Sequence, residues 1–307
     1  MDTKLFELYR QELIERIQSH YIDEGHLKTE IASLSFYNAS ESTEFLTTVY
    51  EPSLCVIVQG AKAVGLADEM FMYDPQTYLL SSVHMPARVR IEEASKETPY
   101  LSLQLKFSME QIFDVLKDID NSSVKSPHKL NRGLHFGEMN KELLEPILRL
   151  VRLLDTPKNI PVLSPLIIKE ILYLIMNEEG GDFIRRYIMD GSATHRIVKV
   201  ITKIKDDFAE KLDIPALAKL VSMSESSLYH NFKKITTMSP LQFQKTLRLH
   251  EARLRLMSQE IDASQVAFDI GYESPSQFSR EYARMFGFPP KADVKRVKGD
   301  CNTEILR

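Results

Sequence analysis

At 307 residues, 43% of them hydrophobic, the chain has room for two globular domains, and no run of about 20 apolar residues is expected to span a bilayer. The charged, amphipathic start MDTKLFELYRQEL argues against a signal peptide, and two distant cysteines, Cys55 and Cys301, argue against a disulfide framework or a zinc cluster and suit a reducing cytoplasm. The net charge of −4 is unevenly spread: residues 195–307 hold 19 Lys/Arg against 14 Asp/Glu, or +5, which leaves 20 against 29, or −9, for residues 1–194. That asymmetry fits a basic nucleic-acid reader joined to an acidic partner domain.

The first predicted element is an amphipathic helix over 3–21, with Leu5, Tyr9, Leu13 and Ile17 on one stripe and Asp2 as its cap. From Ile31 to Phe107 the period changes to two. Leu101, Leu103, Leu105 and Phe107 alternate with Ser102, Gln104 and Lys106, the pattern of a half-buried strand. Further strands are expected at Ile31–Tyr37, Phe45–Tyr50, Leu54–Gln59, Met70–Tyr73, Tyr78–Val83 and Arg88–Glu92, with Gly60, Gly65, Asp74-Pro75 and Met85-Pro86 as breaks between them. Short strands at this spacing predict a sandwich or small barrel.

Ser108 with Gln111 reads as a capping box opening a helix, followed by helices around Lys141–Leu154 and from Ser164-Pro165 through Ile175. The last of these is apolar on more than one face, so it is expected to be buried in its own domain or against a second subunit. Asp190-Gly191-Ser192 is a polar break and the expected domain boundary, giving domains 1–190 and 191–307.

After a helix over His195–Phe208, Asp213 caps a short helix through Val221, and Met223-Ser224 turns into a second helix, Glu225–Ile235. Ser239-Pro240 opens a long helix, Leu241–Leu256. Asp262 then caps another short one, and GYESPSQFSREYARMFGFPP follows from Gly271 to Pro290. In that stretch Gly271 supplies a left-handed helix end, Pro275 fits a first helical position, and Phe278, Tyr282, Met285 and Phe286 fall at helical spacing. The two segments are an internal repeat. At a shift of 50 residues, Ser224, Leu228, Phe232 and Pro240 meet Ser274, Phe278, Tyr282 and Pro290. Each is a short helix, a tight turn and a polar-faced second helix, which describes a helix-turn-helix, the first over about 213–234 and the second over about 262–285.

These motifs resemble the DNA-binding domain of the AraC/XylS family of bacterial transcription regulators over about 100 residues. The stretch TVYEPSLCVIVQGAK, Thr48–Lys62, with the order helix, strands, helices, resembles the cupin-like N-terminal sensor domain of the aldehyde-response branch of that family. The resemblance implies an α+β two-domain chain: a cupin-like β-barrel with flanking helices for sensing and dimerisation, then an all-α domain with two helix-turn-helix motifs. It further implies a cytoplasmic homodimer that binds double-stranded promoter DNA, answers a small-molecule effector and, as an activator more often than a repressor, contacts RNA polymerase. One departure stands out: Ser222 occupies a turn position where the family often carries Gly, so that turn is expected to be strained or differently shaped.

By that resemblance, Ser226, Tyr229 and His230 in the first reading helix, and Ser276, Gln277, Ser279 and Arg280 in the second, occupy the base-contacting faces. A bidentate Arg–guanine contact is the commonest specific pairing, so Arg280 leads, with a surface salt bridge to Glu273 or Glu281 as the alternative. His230 reads equally as a phosphate contact or an idle surface residue. Lys233, Lys234, Lys245 and Arg248 are expected on phosphates, which position without reading sequence, and the helix N-termini at Ser239 and Asp262 can add their amides.

An enzymatic reading finds little support. Cupin enzymes hold a metal with two or three His and a carboxylate, yet residues 31–107 contain one His, His84, and no nucleophile-base spacing stands out. Zinc-dependent DNA repair, found in some AraC-type proteins, needs more than two cysteines. No metal or cofactor is expected. For the effector pocket the candidates are Cys55, either a buried inert thiol or a reactive one, with His84, Arg88 and Arg90 lowering its pKa or binding an anion.

Overall fold

The computed structural model describes residues 2–20, 24–66, 69–119, 133–178, 181, 183–185, 193–258 and 261–302. The chain divides into two compact units, Met1–Phe45 with Tyr50–His195, and Leu46–Val49 with Arg196–Arg307. The expected boundary at 190–192 lies outside the described residues.

The N-terminal part opens with helix α1 (Asp2–His20), in which Asp2, read as a cap, is the first helical residue. Among the described residues ten strands follow: β1 (Gly25–Lys28), β2 (Leu34–Ala39), β3 (Leu46–Tyr50), β4 (Ser53–Gln59), β5 (Ala61–Leu66), β6 (Glu69–Tyr73), β7 (Thr77–Ser81), β8 (Met85–Glu93), β9 (Tyr100–Lys106) and, after helix α2 (Met109–Asp118), β10 (Leu134–Glu138). They form a six-stranded sheet in the order β1-β2-β9-β4-β7-β10 and a four-stranded sheet in the order β3-β8-β5-β6. The sheets face each other, as the stacked pair Phe71–Phe136, 5.1 Å apart, and the edge contact Tyr73–Phe136, at 5.7 Å, show.

Alternation decides what each face buries. On the six-stranded sheet, Leu103 and Leu105 of β9 register with Phe36 and Leu34 of β2 and with Val56 and Leu54 of β4, giving an apolar band that ends where Leu101 meets Asn38 and Gln59. Helix α1 packs on β4 and on α3 (Lys141–Arg152), burying Leu13, Ile14 and Ile17 while Leu5 stays exposed. Ion pairs pin α1: Glu12 accepts from Arg16 at 2.7 Å and from Arg152 at 2.6 Å, and Asp155 pairs with Arg16 and His20.

Three strands were not expected. β1 is four residues long, β5 contains Gly65, a break by sequence pattern alone, and β10 contains Gly137, where a Cβ would meet the Tyr78 ring. Likewise Met85-Pro86 opens strand β8 rather than interrupting it. Helix α4 runs Ile160–Asn177, one turn earlier than expected, with Pro165 inside it rather than at its start. This overturns a second expectation: the segment Pro157–Asn177 is long and apolar enough, by length and composition, to cross a membrane. Ile167, Ile168, Ile171, Leu172 and Ile175 are buried against the rest of the unit, while Val162, Leu163, Leu166 and Tyr173 of the same helix are exposed.

The C-terminal unit is helical: α5 (Ala193–Asp206), α6 (Ile214–Leu220), α7 (Glu225–Thr236), α8 (Pro240–Ser258), α9 (Ala263–Asp269), α10 (Pro275–Phe286) and α11 (Pro290–Asn302). α8 packs on α7 on one side and on α9, α10 and α11 on the other, so one helix serves both halves of the repeat.

Candidate DNA-reading surface and sensor interior

Both halves of the repeat are built by the same local chemistry. Asp213 caps α6 by accepting from the Ala216 amide at 2.9 Å, and Asp262 caps α9 by accepting from Ser264 at 3.0 Å. Each short helix ends in a residue with left-handed backbone, Ser222 at φ 53° and Gly271 at φ 85°. In both, two amides fold back: Ser222 and Met223 donate to Lys219 and Ala218, while Gly271 and Tyr272 donate to Phe268 and Ala267. This is the Schellman arrangement that closes a helix. Ser222 therefore keeps the turn geometry that Gly normally supplies, and the strain expected from the sequence sits in its φ. Gly271 has a further reason to be Gly, because a Cβ there would stand 2.0 Å from the Ala209 carbonyl oxygen.

The reading helices start at Ser224 and Ser274, whose hydroxyls accept from the Ser227 and Gln277 amides at 3.3 and 3.4 Å. Their inner faces bury Leu228, Phe232 and Ile235 in α7, and Phe278, Tyr282 and Phe286 in α10. The repeat extends to the anchoring contact but changes its chemistry. In the first half Phe232 meets Phe243 edge-on at 5.4 Å. In the second, the matching Tyr282 donates at 2.9 Å to the fully buried Asp293, which also pairs with Arg253 at 2.8 Å. A buried carboxylate needs such company.

Outward, α7 exposes Ser226, Tyr229, His230, Lys233 and Lys234, and α10 exposes Ser276, Gln277 and Arg280, with Ser279 half-buried. Arg280 makes no ion pair among the described residues, so the alternative contact with Glu273 or Glu281 is not formed. Glu281 is occupied elsewhere: Lys245 pairs with Oε1 at 3.0 Å, Gln277 donates to Oε1 at 3.1 Å, and Tyr272 donates to Oε2 at 2.8 Å. Burial pushes the Glu281 carboxyl up, but these three donors outweigh it and hold the pKa below the ordinary value. Two of the expected DNA-contacting residues, Gln277 and Lys245, thus converge on one carboxylate.

Arg248 corrects the sequence reading. Its guanidinium donates to four backbone carbonyls, those of Phe208 at 2.7 Å, Gly271 at 2.8 Å, Ala209 at 3.0 Å and Glu210 at 2.8 Å. Half-buried, with its donors on these carbonyls, it ties the segment after α5 to α8 and to the second turn, which leaves the guanidinium little capacity for a phosphate. Arg284, which the sequence reading missed, is exposed one turn beyond Arg280. The 50-residue shift places it opposite Lys234, and that register was the signal for it.

The four residues grouped as an effector pocket do not come together. Cys55 on β4 faces between the sheets, where burial pushes its thiol pKa up. On β8, Arg90 and Arg88 register with Ala63 and Gly65 of β5, so they lie on the sheet face opposite Lys62, which registers with Ile91. Both arginines stack on Phe45, at 4.6 and 4.9 Å. His84 is beside Glu51, 4.0 Å away. The groups that do share the interior with Cys55 are Tyr50, Lys62, Tyr73 and Tyr100, together with Gln104 and Ser53, which are joined by a 3.1 Å hydrogen bond. Among the described residues no cluster of His, Cys, Asp and Glu could hold a metal ion.

A β-sandwich followed by two helix-turn-helices on a shared helix defines a class: transcription regulators that join a sensor-type unit to a double reading head. Residues 30–183, half of the chain, match the family described as AraC-type transcriptional regulator N-terminus, and residues 217–296 match a helix-turn-helix domain. The chain belongs to the AraC family of DNA-binding transcription regulators. It is 28% identical over 102 residues to the HTH-type transcriptional activator RhaS of Escherichia fergusonii, covering 33% of this chain and 37% of RhaS. It is also 28% identical over 117 residues to the HTH-type transcriptional regulator GbdR of Pseudomonas aeruginosa, covering 38% of this chain and 32% of GbdR. The match therefore spans about a third of each relative. In fold, it resembles an apo form of ToxT from Vibrio cholerae with a TM-score of 0.60 at 11% identity, over 89% of this chain and 98% of that one. The ToxT structure bound to an unsaturated fatty acid gives 0.58 at 12% identity, over 85% and 94%.

Proposed function

We propose that this regulator is a homodimeric activator that binds promoter DNA through α7 and α10 in successive major-groove faces and responds to a small molecule held by its N-terminal unit. The observation that carries the reading is the repeat itself: two capped reading helices, polar outside and aromatic inside, mounted on the single helix α8. Helix-turn-helices spaced one helical turn, about 34 Å, apart meet one side of the duplex. Base readout falls to Ser226, Tyr229, His230, Ser276, Gln277, Ser279 and Arg280, and phosphate contact to Lys233, Lys234, Lys245 and Arg284. Residues 191–307 form the DNA-binding domain, working in the cytoplasm with RNA polymerase. RhaS is an activator and ToxT binds a fatty acid, which supports the same division of labour here.

The dimer reading rests on α4. Val162 is 68% exposed and Leu166 61%, with Leu163 and Tyr173 also at the surface. Such an apolar row on a helix is costly to leave in water. Footprinting of the purified full-length chain on the region upstream of its own gene tests the function. Protection of paired sites that survives competitor DNA is the expected result, and protection that random DNA removes equally well would overturn it.

A further inference from the structure

The interior between the two sheets is polar where a sandwich core is ordinarily apolar. On β9, Tyr100, Ser102 and Gln104 point to one face while Leu101, Leu103 and Leu105 point to the other, under α1. Cys55 registers with Gln104, so it shares the inward face. From the opposing sheet come Lys62 and Tyr73, which register with each other, and Tyr50, whose ring lies 5.8 Å from the Lys62 Nζ. Tyr50 and Tyr100 are buried, at 5% and 0% exposure, and their hydroxyls lie near the Tyr73 phenol, that of Tyr100 also near Ser102, without a well-formed hydrogen bond to any described residue. Lys62 is half-buried and has no carboxylate beside it among the described residues. Burial accordingly lowers its pKa, with only the Cys55 thiol opposing the shift.

This set of groups has a chemical signature. It offers one cation, three phenols and an amide, and no counter-charge. Buried polar groups in native proteins are paired, and an ammonium drawn part-way out of water favours an anion beside it. A sugar-type ligand would call for acceptors such as carboxylates, whereas this interior is rich in donors. We propose that the interior bounded by Tyr50, Cys55, Lys62, Tyr73, Tyr100 and Gln104 binds a small organic carboxylate, whose anionic end meets the Lys62 ammonium and accepts from the tyrosine hydroxyls. The assignment rests on the reading of the N-terminal unit as the sensor and names the class of its effector. Arg88 and Arg90, on the other face of the sheet, take no part.

Calorimetric titration of the full-length protein with butyrate, hexanoate and octanoate, each beside its matching amide and alcohol, tests this. The carboxylates bind, and each amide and alcohol binds about tenfold or more weakly, the usual worth of a charge-assisted hydrogen bond. Lys62→Met removes that preference, Tyr100→Phe weakens carboxylate binding several-fold, and Arg88→Ala leaves it unchanged. Should Lys62→Met fail to fold by circular dichroism, the near-isosteric pair Tyr50→Phe and Tyr100→Phe carries the test alone. Equal binding of acid and amide, absence of any binding, or binding indifferent to these variants overturns the proposal. So does a borohydride-trapped adduct of hexanal on Lys62 without hexanoate binding, which would make the amine a carbonyl trap. Footprinting on the same preparation separates the two ideas. Specific protection without carboxylate binding sinks the ligand assignment alone, and carboxylate binding without specific protection sinks the regulator reading alone.

Discussion

Arg280 and Lys234 are both exposed cations on reading helices, yet they should fail differently when removed. If Arg280 meets a guanine edge, Arg280→Ala loses roughly 1–3 kcal/mol on the native site, concentrated at one base position, with random DNA bound almost as before. Lys234→Ala should weaken all DNA about equally and lower the salt slope by about one, for one released counterion. Binding isotherms across competitor sequences and salt read both, and a loss on random DNA equal to that on the operator would make Arg280 a phosphate clamp. Arg248→Met belongs to another category. It strands four carbonyls that the guanidinium now satisfies, so we expect a stability loss of about 2–4 kcal/mol, read by denaturant unfolding. The sequence could not show this, since an Arg on a helix near a reading head looks the same whether its donors face DNA or backbone.

At the scale of elements, the two turns make a matched pair. Ser222→Gly should stabilise the first helix-turn-helix by about 1 kcal/mol, because Gly adopts a left-handed backbone without the Cβ penalty. Gly271→Ser should destabilise the second by more than that, since the new Cβ also meets the Ala209 carbonyl. Thermal melts of the two variants moving in the same direction would contradict this account. A pH effect belongs to α1. Hydrogen bonds from Arg152 first, and from Arg16, hold the Glu12 carboxyl at about 2 against an ordinary 4.5. A depressed folded pKa gives stability that is present above 4.5 and lost as pH falls toward 2. Because the pair is part-exposed and screened, Glu12→Gln should cost only about 1 kcal/mol at neutral pH, and nearly nothing at pH 2. The helices were legible in the sequence because caps are local: Ser108, Asp213, Ser224, Asp262 and Ser274 each do what their spacing announced. Strands β1, β5 and β10 were not, because short or Gly-containing strands exist only through their partners across the sheet. The site divided along the same line. Exposed faces of α7 and α10 followed from helical periodicity. Which side of a sheet Arg88 and Lys62 occupy depends on a register that no single strand records.

For the molecule as a whole, the expectation to test is that residues 190–307 fold alone and bind the upstream region specifically. An unfolded fragment, or one with no preference over random DNA, would remove the proposed domain boundary. Sedimentation of the full chain and of its Leu166→Glu variant tests the dimer: the wild type should sediment as a dimer at micromolar concentration and the variant as a monomer. Arg248 gives the reading head a property that neither helix-turn-helix has by itself. Its donors bind the segment that follows α5 and the turn between α9 and α10, while its own backbone belongs to α8. Local opening of either half must release that side chain and so tax the other. Amides of α7 and α10 should then exchange with solvent in a single cooperative event, and in Arg248→Met they should exchange at two separate rates. On this account Arg248 adds to the shared helix α8 the link that makes DNA meet one rigid body rather than two tethered readers.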